Sequence, residues 1–149
     1  MKYSDIKDYF TSGTYDKLLE EYIPKFDIVD KYAILLQNGE IDNKSNCISA
    51  LNELTGVYMD VKKVVEIVEA IKTNVELGFY VTKKQELEAK GEKVVATTLD
   101  REASNSVAEY RRIRNIFSAY LESSLQGIQS TQSILKALTT EIIIENTTK

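Results

Sequence analysis

Between Asn43 and Lys90 the chain runs without a proline, and Cys47, Ala50, Leu54, Val57, Val61, Val64, Val68, Ile71 and Val75 recur at alternating spacings of three and four. That rhythm is a heptad seam, and it predicts one long helix over 43–90 that lays an apolar edge against other helices. Ile48, Leu51, Tyr58 and Val65 widen the stripe on one side, as expected for a helix with more than one neighbour. The seam is dominated by β-branched residues, which are mediocre helix formers, so burial rather than propensity must stabilise it. Gly56 and Gly78 work against it, each by about 1 kcal/mol in a helix interior. The seam is longer than short neighbouring helices can cover. Leu54, Val57, Val61, Val64, Val68, Ile71 and Val75 are therefore assigned to an interface between copies of the chain.

The flanking segments fit the same scheme. Residues 3–39 read as short N-terminal helices: one over 3–10, one from Thr14 to Ile23, and one from Phe26 to about Gln37, with Pro24 as the boundary between the last two. Asn38-Gly39 suits a helix terminus. After Lys90-Gly91-Glu92-Lys93, the stretch VVATTL reads as a connector, perceptibly β-branched and so extended. A second long helix is expected over 100–139, capped by Asp100, with Val107, Tyr110, Ile113, Phe117, Leu121, Leu125, Ile128, Leu135 and Leu138 on one face. Residues 140–149 read as a fraying tail. The expected fold is all-α: a long antiparallel helical hairpin, coiled-coil-like, with short N-terminal helices. Its 149 residues make one domain on length alone.

The residue inventory argues against common enzyme chemistries. There is no histidine, which removes the commonest general base and metal ligand. The one cysteine, Cys47, lies on the apolar seam, where a structural thiol is expected, and it fits a reducing cytosol. No CxxC pair suggests zinc and no glycine loop precedes a GK[ST] triad. Glu66 and Glu69 form an ExxE pair of the kind that holds magnesium in some helical pyrophosphohydrolases, but the later helix offers Glu102 and Glu109 without the matching ExxD. A solvated helix face explains the pair better. No catalytic residue, cofactor or metal is expected. No apolar run reaches the roughly 20 residues that span a bilayer, and no signal peptide is evident.

Charge is unevenly placed. Residues 1–60 carry 6 basic and 11 acidic side chains, whereas residues 82–114 carry 8 basic and 6 acidic ones, including all four arginines. A hairpin would bring Lys83, Lys84, Lys90 and Lys93 to the same end as Arg101, Arg111, Arg112 and Arg114. Arginine suits phosphate recognition through its planar fork. Nearby Glu86, Glu88, Glu102 and Glu109 would equally serve to pair these cations in ordinary salt-bridged helix faces.

A further signal lies in Lys72-Thr73-Asn74 with Glu76, in Lys84-Gln85-Glu86-Leu87-Glu88-Ala89-Lys90-Gly91-Glu92-Lys93, and in Glu102-Ala103-Ser104. It continues through Tyr110-Arg111-Arg112-Ile113-Arg114-Asn115, Tyr120-Leu121-Glu122 and Gln132-Ser133-Ile134-Leu135-Lys136. Over Leu54–Leu138 this layout resembles helical proteins of tailed bacteriophages, namely recombination mediators of the UvsY type. The resemblance implies a ring-like homo-oligomer in the host cytoplasm that binds single-stranded DNA and helps load a recombinase in place of single-strand-binding protein. The eight cations from Lys83 to Arg114 named above would then contact the phosphate backbone. The net charge of −4 runs against such a surface, although repetition of a basic patch around an oligomer raises its effective concentration. Two rival expectations remain: a virion structural or assembly component, and a small helical inhibitor or adaptor of a host protein.

Overall fold

The structure, a computed structural model, describes residues 1–147, with side chains to 144. It is all-α, with five helices and no strand among the described residues. These are α1 (Tyr3–Thr11), α2 (Tyr15–Gln37), α3 (Lys44–Ala89), α4 (Ala96–Ser106) and α5 (Ala108–Thr147). No helix among the described residues is long and apolar enough to cross a membrane. Two compact units share these helices: residues 1–19 with 64–116, and residues 20–63 with 117–149.

The long helix α3 matches the span expected over 43–90 to within a residue at each end. It stops where Gly91 takes φ +69°, a left-handed conformation that suits glycine. There Gly91 N–H donates to Glu88 O and Glu92 N–H to Leu87 O, which satisfies the last carbonyls. Gly39 ends α2 in the same way, with Glu40 N–H on Leu35 O.

In the first unit, Ile6, Phe10, Leu18, Val64, Val68, Leu99, Ala103, Val107 and Ile113 are buried. Phe10 sits against Tyr15 and Tyr110, with ring centroids 5.4 and 4.9 Å away. The second unit buries Tyr22, Phe26, Val29, Tyr32, Ile41, Cys47, Ala50, Leu54, Val57, Val61 and Phe117. Phe117 presents its edge to Tyr22 and Phe26, and Phe26 stacks on Tyr120 at 4.0 Å. The buried hydroxyls of Ser124 and Thr131 donate to Leu121 O and Gly127 O one turn back on α5. In each unit α3 packs against α5: Leu54 lies against Gly127 in one and Glu69 binds Arg114 in the other. The length of α3 fits the expected helical hairpin.

Four expectations are corrected. Helix α2 runs unbroken through Pro24, because Leu18, Tyr22, Phe26, Val29 and Tyr32 are buried on both sides of it at helical spacing. That burial outweighs a proline penalty of about 3 kcal/mol. The helix expected over 100–139 is two helices, α4 and α5, divided at Val107 (φ −111°, ψ 20°). Helix α4 begins at Ala96, inside the stretch read as an extended connector, and its first residue is preceded by Val95 rather than capped by Asp100. Leu99 and Ala103 draw that segment into the core at helical spacing. Finally, residues 140–147 continue α5 rather than fray; the last two residues of the expected tail lie outside the described residues.

Candidate nucleic-acid interface

The eight cations assigned to DNA fall into two groups. Arg111, Arg112 and Arg114 are held by the first unit itself. Arg111 donates to Ser104 O at 3.0 Å and to Ser104 Oγ at 2.7 Å. Arg112 donates to Asp16 and Glu109, both at 2.8 Å, and these partners raise its already high pKa. Arg114 bridges to Glu69, whose carboxyl is held below its usual range by Lys72 first and Arg114 second. These arginines fasten α5 to α2, α3 and α4, and binding a phosphate would require breaking those pairs.

The second group surrounds the turn between α3 and α4. Lys90, Lys93 and Arg101 are exposed and form no ion pair among the described residues. Lys83 and Lys84 reach Glu86 and Glu88 only at 3.8 and 3.9 Å. Lys83 and Lys93 line one pocket of about 200 Å³ together with Leu87, Val95, Thr98, Leu99 and Glu102. Exposed pairs at such distances are worth little, so these cations are free to change partner.

Tyr110, which sequence places in the core, is only half-buried, at the core's edge against Phe10 and Tyr15, and burial pushes its hydroxyl pKa up. Tyr80 is half-buried and lines a separate groove with Leu77 and Ala103. A groove of about 670 Å³ lies in the second unit between Val29, Ala33 and Leu36 of α2 and Ser123, Gly127 and Ser130 of α5. Its one charged lining residue is Glu122, so it offers nothing to a phosphate.

The seam residues assigned to an interface between copies are placed differently. Leu54, Val57, Val61, Val64 and Val68 are at most 4% exposed within the single chain, so its own helices already cover them and they cannot also meet a second copy. Ile71 is half-buried, and Val75, at 37%, is exposed. Cys47 is fully buried and burial pushes its thiol pKa up, as expected of a packing residue. Glu66 is exposed while Glu69 is committed to Lys72 and Arg114. No group of three or more Cys, Asp or Glu residues among the described residues is arranged to hold a metal.

Sequence reasoning missed the Asp60 site in the second unit. Asp60 of α3 takes hydrogen bonds from Lys25 of α2 and from Lys63, the latter at 2.8 Å. Burial works to raise its pKa, but the bonds from Lys25 and Lys63 outweigh that and hold the carboxyl well below the usual range. The buried Tyr22 hydroxyl lies beside this carboxylate without a geometrically satisfied hydrogen bond. Its pKa is pushed upward, by burial first and by Asp60 second. The bond from Lys25 to Asp60 ties α2 to α3.

No family model matches the chain, and no curated protein or solved structure matches it at a significant level.

Proposed function

We propose that this chain is a non-enzymatic, self-associating helical protein that binds single-stranded DNA as a recombination mediator of the UvsY type. The resemblance over Leu54–Leu138 suggests the role. The observation that carries it onto particular residues is the set of unpaired cations at the α3–α4 turn, Lys90, Lys93 and Arg101, with Lys83 and Lys84 only loosely held. DNA contact is therefore assigned to this turn rather than to Arg111, Arg112 and Arg114. Cations that end one helix and begin the next can follow a flexible backbone without opening existing pairs, and such contacts are indifferent to base sequence.

The test is fluorescence anisotropy with a labelled single-stranded oligonucleotide. Replacing Lys90, Lys93 and Arg101 together by glutamine should weaken binding several-fold. Replacing Arg111 and Arg114 by glutamine should leave affinity nearly unchanged and lower the melting temperature instead. The opposite pattern overturns the assignment.

A second reading, an assembly component that binds other protein helices, has its own support. Between Lys83 and Glu102 five cations face five carboxylates, leaving no net charge. Meanwhile Met59, Leu77, Val81 and Ile142 are 43–67% exposed. Absence of any DNA binding at physiological salt selects this reading.

A further inference from the structure

Among the cations of the α3–α4 turn lies a space that phosphate contacts alone do not use. The pocket of about 200 Å³ there is lined by Lys83 and Leu87 of α3, by Lys93 and Val95 of the turn, and by Thr98, Leu99 and Glu102 of α4. It is smaller than the roughly 300–1,000 Å³ that a drug-sized ligand fills, so it suits a single ring system rather than a whole molecule or a helix. Three of its seven lining side chains are aliphatic. One of them, Val95, is 47% exposed although it stands among lysines, and contact with a flat apolar surface would take it out of water.

The polar lining narrows the choice of ring. Thr98 and Glu102 are four residues apart on α4, one turn from each other on the side that lines the pocket. Neither side chain forms a hydrogen bond or an ion pair among the described residues, although Lys83 and Lys93 line the same space. An ionised carboxylate only accepts hydrogen bonds. A ring that fits must therefore offer N–H groups to Glu102 while the chain carrying it offers negative charge to the lysines.

We infer that this pocket takes one nucleobase of the bound single strand, and that the exocyclic amino group of a base such as cytosine or adenine donates to Glu102. Leu87, Val95 and Leu99 pack against the base, and Lys83 and Lys93 hold phosphates beside it. Thymine presents a carbonyl oxygen where cytosine presents its amino group, and the carboxylate repels that oxygen. Phosphate contacts carry no sequence information of their own, so the preference for amino-bearing bases arises in the pocket. Among the described residues no aromatic side chain lines it, so base stacking on the protein does not set the preference.

The inference rests on DNA binding at this turn, and its test separates the two. Fluorescence anisotropy compares a labelled all-cytidine oligonucleotide with an all-thymidine one of the same length, at one salt concentration and slightly alkaline pH. Wild type should bind the cytidine strand about fivefold more tightly, the low end for a base-edge contact. Glu102→Gln keeps an acceptor oxygen and adds an N–H donor that thymine can use. The preference should then fall to near one, chiefly through tighter binding of the thymidine strand, with helicity by circular dichroism unchanged. A Glu102 that acts only as a repelling charge would tighten both strands equally and keep the ratio. A wild-type ratio of one, or a ratio that survives in Glu102→Gln, overturns the base pocket; binding of both strands in that case leaves the DNA reading standing. Binding of neither strand near physiological salt overturns both.

Discussion

Replacing Asp60 with asparagine keeps the shape of the side chain and removes the charge that Lys25 and Lys63 grip. Asp60 is only 17% exposed, whereas Lys25 and Lys63 are 39% and 44% exposed, so solvent screens the cation side of each pair. A fully effective depression of an aspartate pKa by two units is worth about 2.6 kcal/mol. With that screening the expected cost at pH 7 is about 1–2 kcal/mol, or roughly 3–6 °C in melting temperature for a chain of this size. The folded carboxyl is depressed, so its contribution is present in full above the unfolded value of about 3.9. It is lost as pH falls through the folded value. About 1 kcal/mol should be gone by pH 3, since the unfolded chain takes up a proton that the folded one refuses. Urea titrations of wild type and Asp60→Asn, followed by circular dichroism from pH 7 down to pH 3, measure this directly. The gap between the two proteins should narrow as pH falls. A gap that stays constant, or widens, refutes the assignment of stability to the carboxylate.

Other substitutions test the packing. Phe117→Ala empties the centre of the aromatic cluster around Tyr22 and Phe26 and should cost about 3–5 kcal/mol in chemical denaturation. Gly127→Ala would set a Cβ 3.0 Å from Leu54 Cδ1, and because Leu54 is itself buried the clash should outweigh the gain in helix propensity and lower the melting temperature. Gly56→Ala meets open space and should instead stabilise by up to about 1 kcal/mol. Tyr22→Phe removes a buried hydroxyl without a satisfied bond and should change stability by less than about 1 kcal/mol.

The limits of α3 were legible because apolar spacing and Gly91 each mark them locally. What covers the seam was not. Periodicity announces that Leu54 to Val68 are buried, but a neighbour in the same chain and a second copy leave the same pattern, and here the neighbour is internal. Pro24 misled for a related reason: the cost of a proline is local, while the compensating burial of Tyr22 and Phe26 is tertiary. Val94 to Leu99 was misread because β-branched residues outweighed the weaker stripe of Leu99, Ala103 and Val107. The arginine cluster shows the same divide. Its crowding is visible in the sequence, but Arg112 finds Asp16 96 residues away and Arg114 finds Glu69 45 residues away. Such partners are brought together by the fold alone. What is left for the proposed DNA contact is the portion near a turn, where local carboxylates are the available partners and hold weakly.

The salt dependence of single-stranded DNA binding tests the central claim most directly. If Lys90, Lys93 and Arg101 each neutralise one phosphate, they should together contribute about −2 to the slope of log affinity against log salt, at about −0.7 per phosphate on a single strand. In the variant with all three replaced by glutamine the slope should shrink by that amount and keep only what Lys83 and Lys84 contribute. A wild-type slope near zero, or an equal slope in the variant, would contradict DNA binding at the α3–α4 turn.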